Sequence, residues 1–191
     1  MYIKNYVKEL FGGFIDFINI VNFIKNEETV VLVGGTASGK DTLLKKVLSL
    51  TSPQKALISH TTRPMRDGEV NGVEYWFISD EEFSEISFIE NREYKVAHDK
   101  NIWKYGLSVS EGRRSGILIL DWQGAQDFKA WRESNGLKAP IIVFVDVSKP
   151  ISKERQMKRG DYNKEEFDRR WEADMKWIAA AAKEADYWTI G

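Results

Sequence analysis

The run from Thr29 to Leu44, TVVLVGGTASGKDTLL, limits the possible folds of this chain more than any other stretch. An apolar, β-branched segment stops at two glycines, and Gly39-Lys40 then opens an amphipathic segment. A strand, a glycine-rich loop and a helix with G-x-x-x-x-G-K spacing are typical of a phosphate-binding loop. The glycines let backbone N–H groups surround a phosphate, and Lys40 and the helix N-terminus add positive charge. The simpler alternative is a glycine turn that only joins a strand to a helix.

The predicted nucleotide-binding residues of this loop are Gly34, Gly35, Thr36, Ala37, Ser38, Gly39, Lys40, Asp41 and Thr42. The residue after the lysine is usually Ser or Thr, whose hydroxyl meets Mg²⁺, but here it is Asp41. A carboxylate is also a magnesium ligand, either directly or through water. We therefore predict that Asp41 contributes to a Mg²⁺ site.

Apolar strands alternate with helices along the rest of the chain. We predict strands at about 30–33, 55–59, 73–78, 88–96, 102–105, 116–120, 140–145 and 187–190, and helices at about 39–50, 80–86, 124–133, 149–158 and 164–184. Continuous apolar strands between helices predict an α/β fold with a parallel sheet that helices cover on both faces. Ligands of such sheets collect beyond the carboxyl ends of the strands, where the glycine-rich loop lies.

Residues 1–27 carry apolar side chains in alternating steps of four and three, from Ile3 to Ile24, which predicts a helix. Charged residues such as Lys8 and Asp16 argue against a membrane span, and no small-residue cleavage site follows as in a secretory signal. Three interpretations stay open: a helix packed on its own domain, a helix that forms a homodimer, and a helix on a membrane surface.

The composition excludes several classes of function. A net charge of -1 over 191 residues argues against general binding to nucleic acid or anionic membranes. The absence of cysteine excludes disulfides, thiol catalysis and cysteine-ligated metals, and leads us to expect a reducing, cytoplasmic location. Two histidines cannot build a zinc site by themselves.

The second informative stretch runs from Ser59 to Glu69 and on to Tyr75. Arg63 and Arg66, three apart beside a bend at a proline, suit a phosphate monoester held by charge-assisted hydrogen bonds. Glu69 can orient a guanidinium, and the Tyr75 hydroxyl can add a neutral donor. The alternative is a solvated polar loop.

These stretches together resemble the guanylate kinase family. The resemblance rests on GGTASGKDT, SHTTRPMRDGEVNGVEY, FIE at 88–90, YG at 105–106, DWQGAQ at 121–126 and an RG…RR stretch, in the family's order from Thr29 onward. It implies a P-loop kinase fold with a parallel core sheet flanked by helices, a small GMP-binding β lobe, a lid and, in this chain, an extra N-terminal helix. It also implies that ATP donates its γ-phosphoryl group to GMP, or to dGMP, with Mg²⁺ as cofactor.

The resemblance also implies roles for single residues. The GMP-binding set is Ser59, Arg63, Arg66, Glu69, Tyr75, Glu90, Tyr105 and Asp121, and the catalytic set is Lys40, Arg63, Arg155, Arg159 and Arg170. In the first set the two arginines and two tyrosines match residues that hold the phosphate, whereas Ser59 and Glu90 match residues that read guanine. Glu90 makes chemical sense because a carboxylate accepts from both guanine N1–H and the 2-amino group, which adenine cannot offer. Arg155, Arg159 and Arg170 match lid residues. Arg155 and Arg159, which lie four apart on a predicted helix, could instead pair with surface acids.

In terms of domains, we expect an N-terminal amphipathic extension over residues 1–28 and a guanylate-kinase-like domain over 29–191. Within the latter, the core covers 29–58 and 115–191, the GMP-binding lobe covers about 59–110, and the lid covers about 155–170. The N-terminal extension is the segment through which a homodimer would form.

The chain departs from the family pattern at several positions. Leu107 replaces a hydroxyl residue that usually helps to read the base. Ile119 replaces the first Asp of a D-x-D motif, so that Asp121 is the remaining acid and the second predicted Mg²⁺ ligand. The segment between FIE and YG is longer than usual, which makes Glu93 a rival to Glu90. Two other functions stay open: a P-loop kinase for another phosphorylated acceptor such as ribose bisphosphate, and a non-catalytic guanylate-kinase-like binding module.

Overall fold

The computed structural model describes residues 13–95, 102–160 and 162–191. Its larger sheet contains, from edge to edge, β1 (Gly13–Phe14), β9 (Tyr187–Ile190), β8 (Ile141–Asp146), β2 (Val30–Val33) and β7 (Ile117–Ile119). All neighbouring strands in this sheet are parallel. The predicted α/β fold with a parallel core sheet is confirmed.

The strand β2 shows why the strands of the core sheet have continuous apolar sequences. All four of its side chains are fully buried. Because successive side chains of a strand point to opposite faces, Val31 and Val33 join one apolar cluster, whereas Val30 and Leu32 join the other. Both faces are therefore covered, and the carboxyl end of β2 opens into the glycine-rich loop.

The helices in the described residues include those that pack on this sheet and those of the smaller lobe. They are α1 (Phe17–Lys25), α2 (Lys40–Leu50), α3 (Asp80–Glu85), α4 (Val109–Gly112), α5 (Trp122–Ser134), α6 (Lys149–Arg159) and α7 (Lys164–Glu184). Asp121 caps α5 by accepting a hydrogen bond from Gly124 N–H at 2.6 Å. At α3 the cap is Ser79 rather than Asp80, because Ser79 and Glu82 form a reciprocal capping box.

A smaller sheet lies between β2 and β7 in the sequence. Its order is β4 (Trp76–Phe77), β3 (His60–Thr61), β6 (Ile102–Ser108) and β5 (Phe88–Lys95). The pairing of β5 with β6 is antiparallel and places Glu90 opposite Leu107, with an irregularity between Phe88 and Glu90. This sheet forms the predicted β lobe.

One predicted core strand is wrong. The segment 55–59 does not form a strand of the large sheet, because Pro53–Lys55 is a turn of 3₁₀ helix that Ser52 caps. Beyond it, Ala56 makes only an isolated parallel bridge to Ile117 before the chain turns into the smaller sheet. The strand predicted at 73–78 likewise shortens to β4.

The prediction of a single helix over residues 1–27 is also wrong. Residues 1–12 lie outside the described part of the chain, and Gly13–Phe14 forms the strand β1, parallel to β9. The helix begins only at Phe17, because Asp16 accepts a hydrogen bond from Asn19 N–H at 3.0 Å.

The helix α1 packs on the same core as the rest of the chain. Ile20 and Ile24 are fully buried in the cluster that contains Val30 and Val143. Over the described residues, α1 therefore packs on the domain predicted over 29–191. No helix in the described ranges is both long and apolar enough to cross a membrane.

Candidate active site

The glycine-rich loop folds around the ammonium group of Lys40. Lys40 Nζ donates hydrogen bonds to Gly34 O at 2.7 Å, Gly35 O at 2.9 Å and Ser38 Oγ at 3.2 Å. Ala37 and Gly39 have φ angles of 52° and 100°, so the backbone of the loop is left-handed at both positions. Burial lowers the pKa of Lys40, and this effect is partly opposed by nearby carboxylates.

The first glycine of the loop is required by close packing. A Cβ atom on Gly34 would lie 2.5 Å from the carbonyl oxygen of Val145 on β8. Any side chain at this position would push the loop away from the end of the sheet, so that the loop could not keep its present position.

Residues far along the chain fix the outer side of the loop. Arg155 Nη1 donates to Ser38 O at 2.9 Å and to Ala37 O at 3.2 Å. Ser152 Oγ donates to Thr36 O at 2.7 Å, while Thr36 N–H donates to Asp174 Oδ2 at 2.6 Å. Sequence reasoning missed Ser152 and Asp174 because only tertiary contacts bring α6 and α7 to the loop.

The predicted lid arginines occupy different places. Arg155 touches the loop, as described above, and its Nη2 donates to Gly191 O at 2.7 Å. Arg159 is exposed at the end of α6. Arg170 is exposed on α7 and donates its Nε–H to Glu166 at 2.5 Å. Arg155 thus contacts the loop, whereas Arg170 is paired with an acid of its own helix.

In the smaller lobe, Arg63 is held in a buried clamp. Its side chain is 4% exposed, and its two terminal nitrogens donate to the two carboxylate oxygens of Glu69 at 3.0 and 2.8 Å. The guanidinium also lies 5.3 Å from the centroid of the Phe77 ring. The hydrogen bonds from Arg63 lower the pKa of Glu69. Glu69 therefore stays ionised and fixes the plane of the guanidinium.

Two tyrosines flank this clamp. Tyr75 and Tyr105 meet edge to face, with ring centroids 5.6 Å apart. Burial raises the pKa of Tyr75 to about 12, so its hydroxyl stays a neutral donor at physiological pH. Arg66 is exposed, but its backbone N–H donates to Glu69 at 2.7 Å, which ties the two predicted arginines to one carboxylate.

Glu90 is the buried acid of the lobe. Its side chain accepts a hydrogen bond from Leu107 N–H at 3.1 Å, and burial raises its pKa to about 7. The predicted rival, Glu93, is exposed on the same strand. The side chain of Leu107 is fully buried in the core cluster, so it faces the core and cannot contact a base.

Asp121 joins β7 to α5 in the chain, and its side chain contacts β5. Its Oδ1 is bonded to Gly124 N–H, and its Oδ2 accepts from the Tyr94 hydroxyl at 3.2 Å and lies 3.7 Å from Arg92 Nε. Arg92 also binds Asp127 at 2.5 Å. Sequence reasoning missed these partners, although positions 90, 92 and 94 alternate along one strand and could have indicated a shared face.

The lobe contacts the helix that follows the loop. Lys45 of α2 lies 3.3 Å from the Glu74 carboxylate. Asp41, on the same helix, is near enough to Tyr75 to raise the pKa of that phenol. The Ser59 carbonyl accepts from Trp76 N–H at 2.9 Å, which places Ser59 where the lobe begins. The lobe that carries the predicted acceptor residues thus contacts the helix that begins with Lys40.

A parallel sheet that ends in a lysine-centred glycine-rich loop, opposite a lobe with a buried arginine clamp, defines a P-loop kinase fold. The family model for guanylate kinase matches residues 26–189. The chain belongs to the guanylate kinase family.

Individual relatives agree with this assignment. The chain is 33% identical to a guanylate kinase of Legionella pneumophila strain Lens over 138 residues, which cover 68% of this chain and 62% of that protein. It is 31% identical to a guanylate kinase of Clostridioides difficile strain 630 over 172 residues, 86% of this chain and 80% of that protein. The crystal structure of guanylate kinase from Anaplasma phagocytophilum shares the fold, with a TM-score of 0.50 at 20% identity over 84% of this chain and 75% of that one.

Proposed function

We propose that this protein transfers the γ-phosphoryl group of ATP to GMP, giving ADP and GDP. The observation that carries the proposal is the Arg63–Glu69 clamp beside the Tyr75–Tyr105 pair, in a lobe that touches the helix of the glycine-rich loop. One site thus offers cations to a polyphosphate and the other to a phosphate monoester. Phosphoryl transfer needs this positioning and charge neutralisation more than it needs a covalent nucleophile.

The residues divide the work by location. Lys40 and the loop amides bind the donor phosphates, and Arg63, Arg66, Tyr75 and Tyr105 bind the GMP phosphate. Glu90, joined by Ser59, accepts from the guanine edge when it is ionised. Arg155, Arg159 and Arg170 close over the transferred group, and closure excludes the water that would hydrolyse ATP.

The two predicted magnesium ligands differ in how well they fit a cation. Asp41 is exposed, and its charge acts on both Lys40 of the proposed donor site and Tyr75 of the proposed acceptor site. Asp121 does not fit, because its oxygens already face Gly124 N–H, Tyr94 and the guanidinium of Arg92. We therefore keep Asp41 as the residue that would hold Mg²⁺, directly or through water, where the ion would neutralise phosphate charge.

Two broader expectations also stay proposals. A homodimer through residues 1–27 would use exposed apolar side chains of this segment, such as Phe14 of β1 and Ile18 of α1, which are 53% and 55% exposed. Size-exclusion chromatography with light scattering on the wild type and on Ile18→Asp tests this contact. The cysteine-free composition and an ATP-dependent reaction suit the cytoplasm as the proposed location.

A coupled assay of ADP formation tests the proposed reaction. GMP, dGMP, AMP, UMP and ribose bisphosphate are offered in turn with ATP and Mg²⁺. We expect turnover with GMP and little or none with AMP, because adenine lacks the donors that Glu90 accepts. Turnover with ribose bisphosphate but not with a guanine nucleotide would reject the proposal, and so would ATP binding without turnover of any acceptor.

A further inference from the structure

A carboxylate from α7 is bonded to the backbone of the glycine-rich loop. Asp174 Oδ2 accepts from Thr36 N–H at 2.6 Å, although the two residues are 138 positions apart. A Cβ atom on Gly35 would lie only 3.3 Å from the same oxygen, so the carboxylate rests directly on the loop. Backbone N–H groups of such loops are the donors that cradle phosphate oxygens. An anionic oxygen of the protein thus takes a donor of the kind that a phosphate uses.

The charge of Asp174 also acts at the centre of the loop. The carboxylates of Asp174 and Asp41 both oppose the lowering of the Lys40 pKa, so both interact with its ammonium group. Asp41 is exposed, whereas Asp174 is half-buried and bonded to the loop backbone. When a polyphosphate enters the loop, its oxygens and the Asp174 carboxylate compete for the same cations and donors and repel each other.

The contact connects the loop to a predicted lid arginine. Asp174 and Arg170 are four residues apart on α7, so they lie on the same side of that helix. Ile178, another four residues on, packs at the loop, since its Cδ1 lies 3.3 Å from a Cβ placed on Gly35. Release of Asp174 would therefore free the part of α7 that carries Arg170, while Ile178 keeps the helix near the loop.

We propose that Asp174 is a positioning residue whose carboxylate takes the Thr36 N–H donor that a nucleotide phosphate oxygen would use. It bonds α7 to Thr36 N–H, and the triphosphate of ATP displaces it. This weakens donor binding and couples it to the release of α7. The inference rests on the proposed function, because it takes ATP as the competing anion.

Binding titrations on the full chain test this role. ATP with Mg²⁺, and separately GMP, are titrated into wild type, Asp174→Asn, Asp174→Ala and the control Glu172→Gln. The asparagine variant keeps an oxygen that can accept from Thr36 N–H and removes only the charge. Glu172 is exposed on the same helix, so its variant makes the same change of charge away from the loop.

We expect Asp174→Asn to bind ATP about tenfold more tightly than wild type, because the like charge beside the phosphates is gone. GMP affinity should stay unchanged in all four proteins, and Glu172→Gln should match wild type for both ligands. A purely structural contact would instead lower the melting temperature without tightening ATP binding.

Equal or weaker ATP binding by Asp174→Asn would overturn the inference while leaving the proposed function intact. Should Asp174→Ala fail to fold, the asparagine variant decides the matter alone. The absence of ATP binding in wild type and in Glu172→Gln would reject the proposed function, and the inference with it.

Discussion

The donor loop and the acceptor lobe hold their cations in opposite ways. Lys40 is bonded to neutral oxygens of its own loop, all within six residues in sequence. Arg63 is instead clamped by the carboxylate of Glu69 and packed on aromatic rings. Neutral carbonyls are weaker partners than phosphate oxygens, so Lys40 is free to exchange them for a phosphate. The orientation of Arg63 is already fixed before any substrate arrives.

This difference predicts how substitutions in the two regions will act. Loss of the Lys40 ammonium group should remove turnover and leave acceptor binding unchanged. Loss of the Arg63 guanidinium should weaken binding of the acceptor more than binding of the donor.

The largest effect is expected at Lys40. Lys40→Ala removes the charge that neutralises the donor phosphates, so kcat should fall by about 10³-fold. The dissociation constant of GMP, measured by calorimetry, should stay within about twofold of wild type because the acceptor cations are untouched. Lys46→Ala, an exposed lysine on the same helix, is the matched control. A parallel loss of GMP affinity would contradict the separation of the two sites.

Arg63→Ala should have the next largest effect. Truncating one partner of a buried charged pair costs about 2–5 kcal/mol, and here we expect that cost in GMP binding. Arg63→Lys should recover part of the affinity, because it restores the charge without the fork. Arg66→Ala should act more weakly, since Arg66 is exposed. Calorimetry with GMP and with ATP compares the variants. An equal loss of affinity for both ligands would contradict the separate roles of the loop and the lobe.

The pH dependence of GMP binding should show a smaller effect. The pKa of Glu90 is raised to about 7, so its carboxylate is protonated as the pH falls through 7 and can no longer accept both guanine donors. Between pH 8 and pH 6 the ionised fraction drops about tenfold, and the dissociation constant of GMP should rise by about the same factor.

Glu90→Gln separates this effect from the ionisation of GMP itself. The phosphate of GMP also titrates, near pH 6, and that contribution remains in both proteins. The variant should bind GMP more weakly at pH 8 and lose the part of the profile centred on 7. An unchanged profile would mean that another group titrates there.

The raised pKa of Glu90 also affects stability. Because the folded-state pKa lies above the ordinary glutamate pKa of 4.5, the folded protein binds this proton more tightly than the unfolded chain does. The contribution of Glu90 to the free energy of unfolding therefore falls as the pH rises from about 4.5 to about 7. Denaturant titrations of wild type and Glu90→Gln across that window measure the difference.

Much of the fold could be predicted from local patterns. The strand β8, the helix α7 and the strand β9 lie within a residue of their predicted limits, because long apolar runs and caps are local signals. The predictions failed where the structure of a segment depends on the strand with which it pairs. The segment at 55–59 resembled a core strand but has a single bridging partner, and Gly13–Phe14 resembled helix but pairs with β9.

The candidate site divides along the same line. The sequence by itself determined the glycine-rich loop and its lysine, because N–H groups, glycines and a cation at fixed spacing form the loop within nine residues. Family membership also follows from the order of such motifs. Only the tertiary structure decided that Asp174 and Arg155 reach the loop, that Glu90 is buried while Glu93 is exposed, and that Asp121 is paired with Arg92 rather than left to a metal. Those contacts join helices and strands far apart in the chain, and their charges acquire a role only when packing brings them together.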